Sequence, residues 1–91
     1  MTTLAILILA ADTILLDDCE VDSITWQPGR NVVRFECGDD AIVEFDDTQQ
    51  VELINGACVV PDLEGDEFNL AFFVTTPLDL THLEKHNAHH P

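Results

Sequence analysis

Between Asn31 and Leu53 the chain alternates apolar and polar residues with a period of two, in NVVRFECGDDAIVEFDDTQQVEL. Val33, Phe35 and Cys37 fall on one side of an extended backbone, and Ala41, Val43 and Phe45 do the same after Gly38-Asp39-Asp40. Two strands of one sheet are predicted. The outward and intervening positions carry Glu36, Asp39, Asp40, Glu44, Asp46, Asp47 and Glu52, so the sheet is expected to show one apolar face, with acid at its edge and turns.

The flanking segments extend the β pattern. Leu4 to Leu9 is an unbroken apolar run, which predicts a central strand covered on both faces. Thr13 to Leu16 reads as a second short strand, followed by the acids Asp17, Asp18, Glu20 and Asp22. Glu20–Trp26 and Asn31–Cys37 flank Gln27-Pro28-Gly29-Arg30, where proline presets φ and glycine accepts positive φ, as a type II turn requires. Asn55-Gly56 joins Gln50–Ile54 to Ala57–Val60 as a tight hairpin, and Pro61 ends that strand because it has no N–H to give. Phe68 to Val74 alternates again, with Phe68, Leu70, Phe72 and Val74 on one face and Ala71 and Phe73 on the other.

At Thr76 the period changes. Thr76-Pro77-Leu78-Asp79 combines a hydroxyl cap, proline at the first helical position and an early acid. A helix of about ten residues is predicted there, docking Leu80 and Leu83 on the sheet and ending near Lys85 and His86. The fold class expected is mainly β: a small antiparallel sheet or partly closed barrel of roughly five to eight short strands with one C-terminal helix. Residues 1–86 are expected to form a single small domain and residues 87–91 a frayed tail.

Composition changes this picture through charge. The chain has 91 residues and a hydrophobic fraction of 46%, enough for a folded core, yet 18 carboxylates face only Arg30, Arg34 and Lys85, for a formal charge of −15. Direct binding to nucleic acid or to an anionic membrane is not expected, because phosphate recognition needs clustered lysine and arginine. The excess favours a basic partner, divalent cations or a very salty cytoplasm. Cys19, Cys37 and Cys58 cannot all pair within one chain and form no C-x-x-C unit, so reduced, packed thiols and a cytoplasmic location are expected. No basic residue precedes Leu4–Leu9, and no apolar run approaches the roughly 20 residues that cross a bilayer, so neither a targeting signal nor a span is predicted.

Enzyme chemistry finds little material. The one serine, Ser23, lies in a predicted strand, all four histidines lie in the C-terminal segment, and no glycine-rich loop with a lysine exists to cradle phosphate. Asp79, His82 and His86 share a helical face on which zinc could sit if His89 or His90 joined them. Solvated terminal histidines are the simpler reading. Asp62-Leu63-Glu64-Gly65-Asp66-Glu67 superficially resembles a calcium loop, but its glycine is fourth where an EF-hand requires sixth. No metal and no cofactor is assigned.

What remains is the arrangement of the acids. Asp17-Asp18, Asp39-Asp40, Asp46-Asp47 and Asp66-Glu67 are adjacent pairs at predicted strand ends and loops. Strand-borne acids on one face recur about every 6 to 7 Å, comparable with phosphates along one nucleic-acid strand. The simple alternatives are a solvated surface that maintains solubility, or the composition of a halophile. The functional expectation is a non-enzymatic inhibitor whose carboxylates stand in for duplex phosphates and occupy the groove of a basic nucleic-acid-binding protein. Its central patch is expected at Asp39, Asp40, Glu44, Asp46 and Asp47, extended by Asp17, Asp18, Glu20 and Asp22. Ile42, with Ile54 and Trp26 as further candidates, would supply an apolar anchor. In size, charge and β content the chain resembles virus-encoded inhibitors such as anti-restriction proteins, anti-CRISPR proteins and the uracil-DNA glycosylase inhibitor. The competing expectation is a small virion or assembly protein that homo-oligomerises, burying the second apolar face of Leu4–Leu9 or of Phe72-Phe73 against copies of itself.

Overall fold

The structure is a computed structural model that describes residues 1–74. The chain runs β1 (Thr2–Thr3), α1 (Leu4–Ala10), β2 (Thr13–Leu16), β3 (Cys19–Glu20), β4 (Ser23–Gln27), β5 (Val32–Cys37), β6 (Ala41–Asp46), β7 (Gln50–Val51), β8 (Ala57–Pro61) and β9 (Glu67–Phe73). These nine strands form three antiparallel sheets: β1-β7, β3-β2-β9-β8 and β4-β5-β6. The architecture is mainly β, as expected. The strands do not close into a barrel.

A single core lies among these sheets. Phe35, Phe45, Leu4, Leu70, Val33 and Val60 are its largest fully buried side chains. In the three-stranded sheet the alternation works as the sequence suggests: Val33 lies opposite Phe45 and Phe35 opposite Val43, all four buried. Phe45 meets Phe35 at 5.3 Å and, edge-on, Phe68 of β9 at 6.0 Å, so one ring packs against both larger sheets.

The segment expected as a buried strand, Leu4–Leu9, is the helix α1. Apolar residues at both parities also satisfy helical spacing, and here Leu4 and Ile8 are buried while Leu7 and Ala11 pack against the core. Thr3 caps the helix, its Oγ1 accepting from the Ile6 amide at 3.4 Å. The amides of Leu4 and Ala5, orphaned by the helix start, donate to the carbonyls of Gln49 and Asp47 at 2.9 Å. A seven-residue helix is thus sustained by the neighbouring chain. The helix predicted from Thr76, the tail and the histidine cluster lie outside the described residues.

Two other elements differ from expectation. The strand predicted over Glu20–Trp26 is two strands in different sheets, because the chain crosses over at Val21-Asp22, with the Val21 amide bonded to Ile14 and the Asp22 amide to Glu36. Asn55-Gly56 does form a tight turn, with φ of 56° and 81° and reciprocal bonds between Ile54 and Ala57. The hairpin goes no further. Gln50 and Val51 pair with β1, and β8 pairs with β9, which lets Cys58 and Val60 face the core beside Leu70 and Phe68.

The expectation of three reduced thiols is also corrected. Cys19 and Cys37 form a disulfide with a Cα–Cα separation of 6.2 Å, and Cys58 is free and buried. Nothing in the spacing announces the pair, since strands in two different sheets bring it together. Desolvation pushes the Cys58 thiol pKa up, which keeps it protonated and inert.

Candidate partner-binding surface

The acids gather where β3, β4 and the β5–β6 turn meet. The turn is Gly38-Asp39-Asp40, closed by the pairing of Cys37 with Ala41, with Gly38 at a φ of 70° that suits glycine. Asp22, just before β4, accepts a 2.8 Å hydrogen bond from the Gly38 amide. That bond fixes an acid of the first cluster beside the exposed Asp39 and Asp40. The Cys19–Cys37 bridge brings the backbone of Asp18 and Glu20, the exposed neighbours of Cys19, to the same end of β5. Asp18, Glu20, Asp22, Asp39 and Asp40, distant in sequence, therefore share one corner of the fold.

From that corner the acidic positions continue along the outer face of β5 and β6. Glu36 lies opposite Ile42 and Arg34 opposite Glu44. Arg34 is the one cation there among the described residues, and its Nε stands 3.8 Å from Glu36 in a pair that is 40% exposed on both sides. Such a pair contributes little and neutralises one carboxylate at most. Glu44, half-buried, accepts 2.7 Å from the Gln27 side chain across the sheet. Its own carbonyl receives the Leu63 amide at 2.9 Å, which lays the 62–66 loop along the edge of β6. A cleft of about 150 Å³ lies between them, lined by Ile42, Val43, Glu44, Asp62, Leu63 and Glu64. Ile42 is 51% exposed between Glu36 and Glu44, the position expected of an apolar anchor within an acidic face.

Several of the expected residues sit away from that corner. Asp47 is 8% exposed, its Oδ2 accepting 2.6 Å from the Trp26 indole N–H. It belongs to the scaffold, and Trp26 with it. Asp46 is exposed on the same outer face as Ile42 and Glu44, but at the far end of β6, about 20 Å from Asp40 at roughly 3.4 Å per residue. It accepts from the Thr48 hydroxyl at 2.6 Å and the Thr48 amide at 2.8 Å, bonds that hold its carboxyl pKa below the ordinary value. Asp17 takes a left-handed φ of 54° and exchanges bonds with the Asn69 backbone of β9, so it anchors the β2–β3 turn to the four-stranded sheet. Ile54 is 71% exposed next to Asn55-Gly56 and belongs to neither the corner nor the β6 face.

Other acids join the surface that the expected patch did not include. Glu36 qualifies by parity, since it shares the outer face of β5 with Arg34. Asp62, Glu64 and Asp66 have carboxylate oxygens within 4.8 Å of one another. Asp62 is already engaged, accepting from the amides of Glu64 and Asp66 at 2.9 and 2.8 Å as a side-chain-closed turn. This trio has the oxygen chemistry of a hard-cation ligand set. Its geometry is accounted for by the turn.

No helix among the described residues is long and apolar enough to cross a membrane. Comparison of the chain with protein-family models, with curated proteins and with solved structures finds no match in any of the three.

Proposed function

We propose that this protein is a non-enzymatic inhibitor that presents carboxylates in place of nucleic-acid phosphates to a basic nucleic-acid-binding protein, as an anti-restriction or anti-CRISPR type of protein would. The observation that carries the reading is the convergence of Asp18, Glu20, Asp22, Asp39 and Asp40 on one corner, held by the Asp22–Gly38 hydrogen bond and the Cys19–Cys37 bridge. Mimicry needs fixed charges, and both ties are of a kind that fixes them. The row through Glu36, Glu44 and the 62–66 loop lengthens the surface, and Ile42 offers a contact that slows release once charge has steered the encounter.

The patch proposed here is narrower than the alternation suggests, leaving out Asp17, Asp46 and Asp47. Its test is quadruple reversal of Asp18, Glu20, Asp39 and Asp40 to lysine, all exposed side chains. Proteins that wild type captures and duplex DNA displaces should be lost to the variant, while circular dichroism stays unchanged. Capture that survives the reversal rejects the patch.

Self-assembly into a larger structure is the second reading, favoured by one observation. Val59 and Phe73 are 59% and 53% exposed on the outer face of the four-stranded sheet, with the half-buried Leu15 and Ala71 beside them. A stable oligomer that Val59→Lys disperses would favour it.

A further inference from the structure

We infer that β4 is a docking edge for a second copy of this chain, which adds its own β4 antiparallel and joins two three-stranded sheets into one of six strands. β4 lies at the edge of β4-β5-β6, so alternate residues turn N–H and C=O groups away from β5. Among the described residues nothing outside its own hairpin bonds to its backbone. The strand is Ser23-Ile24-Thr25-Trp26-Gln27, five residues without a charge, a proline or a bulge, in a chain where carboxylates are dense.

The other edges are protected in ways that β4 is not. β6 carries the 62–66 loop through the Leu63–Glu44 bond. β8 is blocked at its start by the Ile54–Ala57 bridge and ends in Pro61, which has no N–H. β1, β3 and β7 are two residues long. An uncharged edge of five residues that nothing covers among the described residues is a template for strand addition.

Charge selects a second copy as the occupant. Antiparallel pairing about a two-fold axis at Thr25 sets Ser23 against Gln27 of the second copy, so neutral residues meet throughout. The same register brings the turn that follows one β4 alongside the segment that precedes the other. That turn carries Arg30, which is exposed and forms no ion pair among the described residues. The preceding segment carries Glu20 and Asp22. One of the chain's three Lys and Arg residues is thus placed twice, once at each end of the joint, against the other copy's acids. The joint engages Glu20 and Asp22 of the proposed corner and leaves the Ile42–Glu44 face of β6 free.

Light scattering coupled to size exclusion, across concentrations up to about 1 mM, tests this edge. The expected result is a dimer that Thr25→Lys weakens at least about tenfold by placing like charges opposite each other at the axis. Arg30→Glu, in an exposed turn outside every strand, should weaken it as well, and Val59→Lys on the opposite sheet should leave it intact. Circular dichroism and melting temperature monitor the fold, and if Thr25→Lys unfolds, Arg30→Glu decides. A monomer throughout the range overturns the inference, as does a dimer that survives Arg30→Glu or that Val59→Lys disperses instead.

Discussion

The indole N–H of Trp26 donates to the Asp47 carboxylate at 2.6 Å, tying β4 to the segment that follows β6. Asp47 also uses its backbone twice, donating to Asn31 and accepting from Ala5 at the start of α1. One acidic residue therefore joins the three-stranded sheet to the helix. Asp47→Ala should cost about 1–3 kcal/mol, because the half-buried indole N–H loses its acceptor. Denaturant unfolding followed by fluorescence of this only tryptophan measures it, and an unchanged midpoint would show the contact to be idle.

Asp46 gives a pH-dependent prediction. Its folded pKa is depressed, chiefly by the Thr48 hydroxyl and then by the Thr48 amide. The bonds therefore favour the folded state above the unfolded pKa of about 3.9, and that contribution is lost as pH falls through the lower, folded value. Thr48→Val should move the Asp46 titration upward, toward the ordinary value, in a carboxyl NMR experiment. An unshifted curve would remove the hydroxyl from the account.

Charge predicts that salt stabilises the fold. Two exposed carboxylates about 6 Å apart repel by roughly 0.7 kcal/mol before screening, and the corner at Asp22, Asp39 and Asp40 gathers several. The melting temperature should rise between low salt and about 0.5 M sodium chloride, where the Debye length is only a few ångströms. A fall over that range would mean that ion pairs outweigh repulsion.

The disulfide sets a fourth expectation. Closing a loop with a sequence separation of 18 stabilises by about 3 kcal/mol in the chain-entropy treatment. Thiol titration of the denatured, unreduced protein should find one reactive cysteine, Cys58, and reduction should lower stability while loosening Asp18 and Glu20 from Asp39 and Asp40. Three reactive thiols in protein kept under oxidising conditions would remove the bridge and its role at the corner.

Much of the scaffold was legible because alternation and turn chemistry act locally. Val33, Phe35, Val43 and Phe45 occupy the core that their parity assigns, and Gly29 has the positive φ of 73° that the Pro28-Gly29 turn needs. Leu4–Leu9 was not legible, since an apolar run without a polar interval fits both periods, and tertiary bonds to Gln49 and Asp47 favour the helix. Asp47 was readable in retrospect. It continues the parity of Val43 and Phe45, so a carboxylate at that position faces inward and needs a donor. The disulfide and the meeting of Asp22 with Gly38 were not accessible to any local pattern, because both depend on how separate strands pack.

The central claim is that the clustered acids act as a substitute for phosphate. The most direct measurement is capture from host lysate on the immobilised protein, with elution by duplex DNA and comparison against the Asp18, Glu20, Asp39 and Asp40 lysine variant. The account predicts a basic nucleic-acid-binding protein that DNA releases and the variant does not hold. Retention that is indifferent both to added duplex and to the four reversals would contradict it.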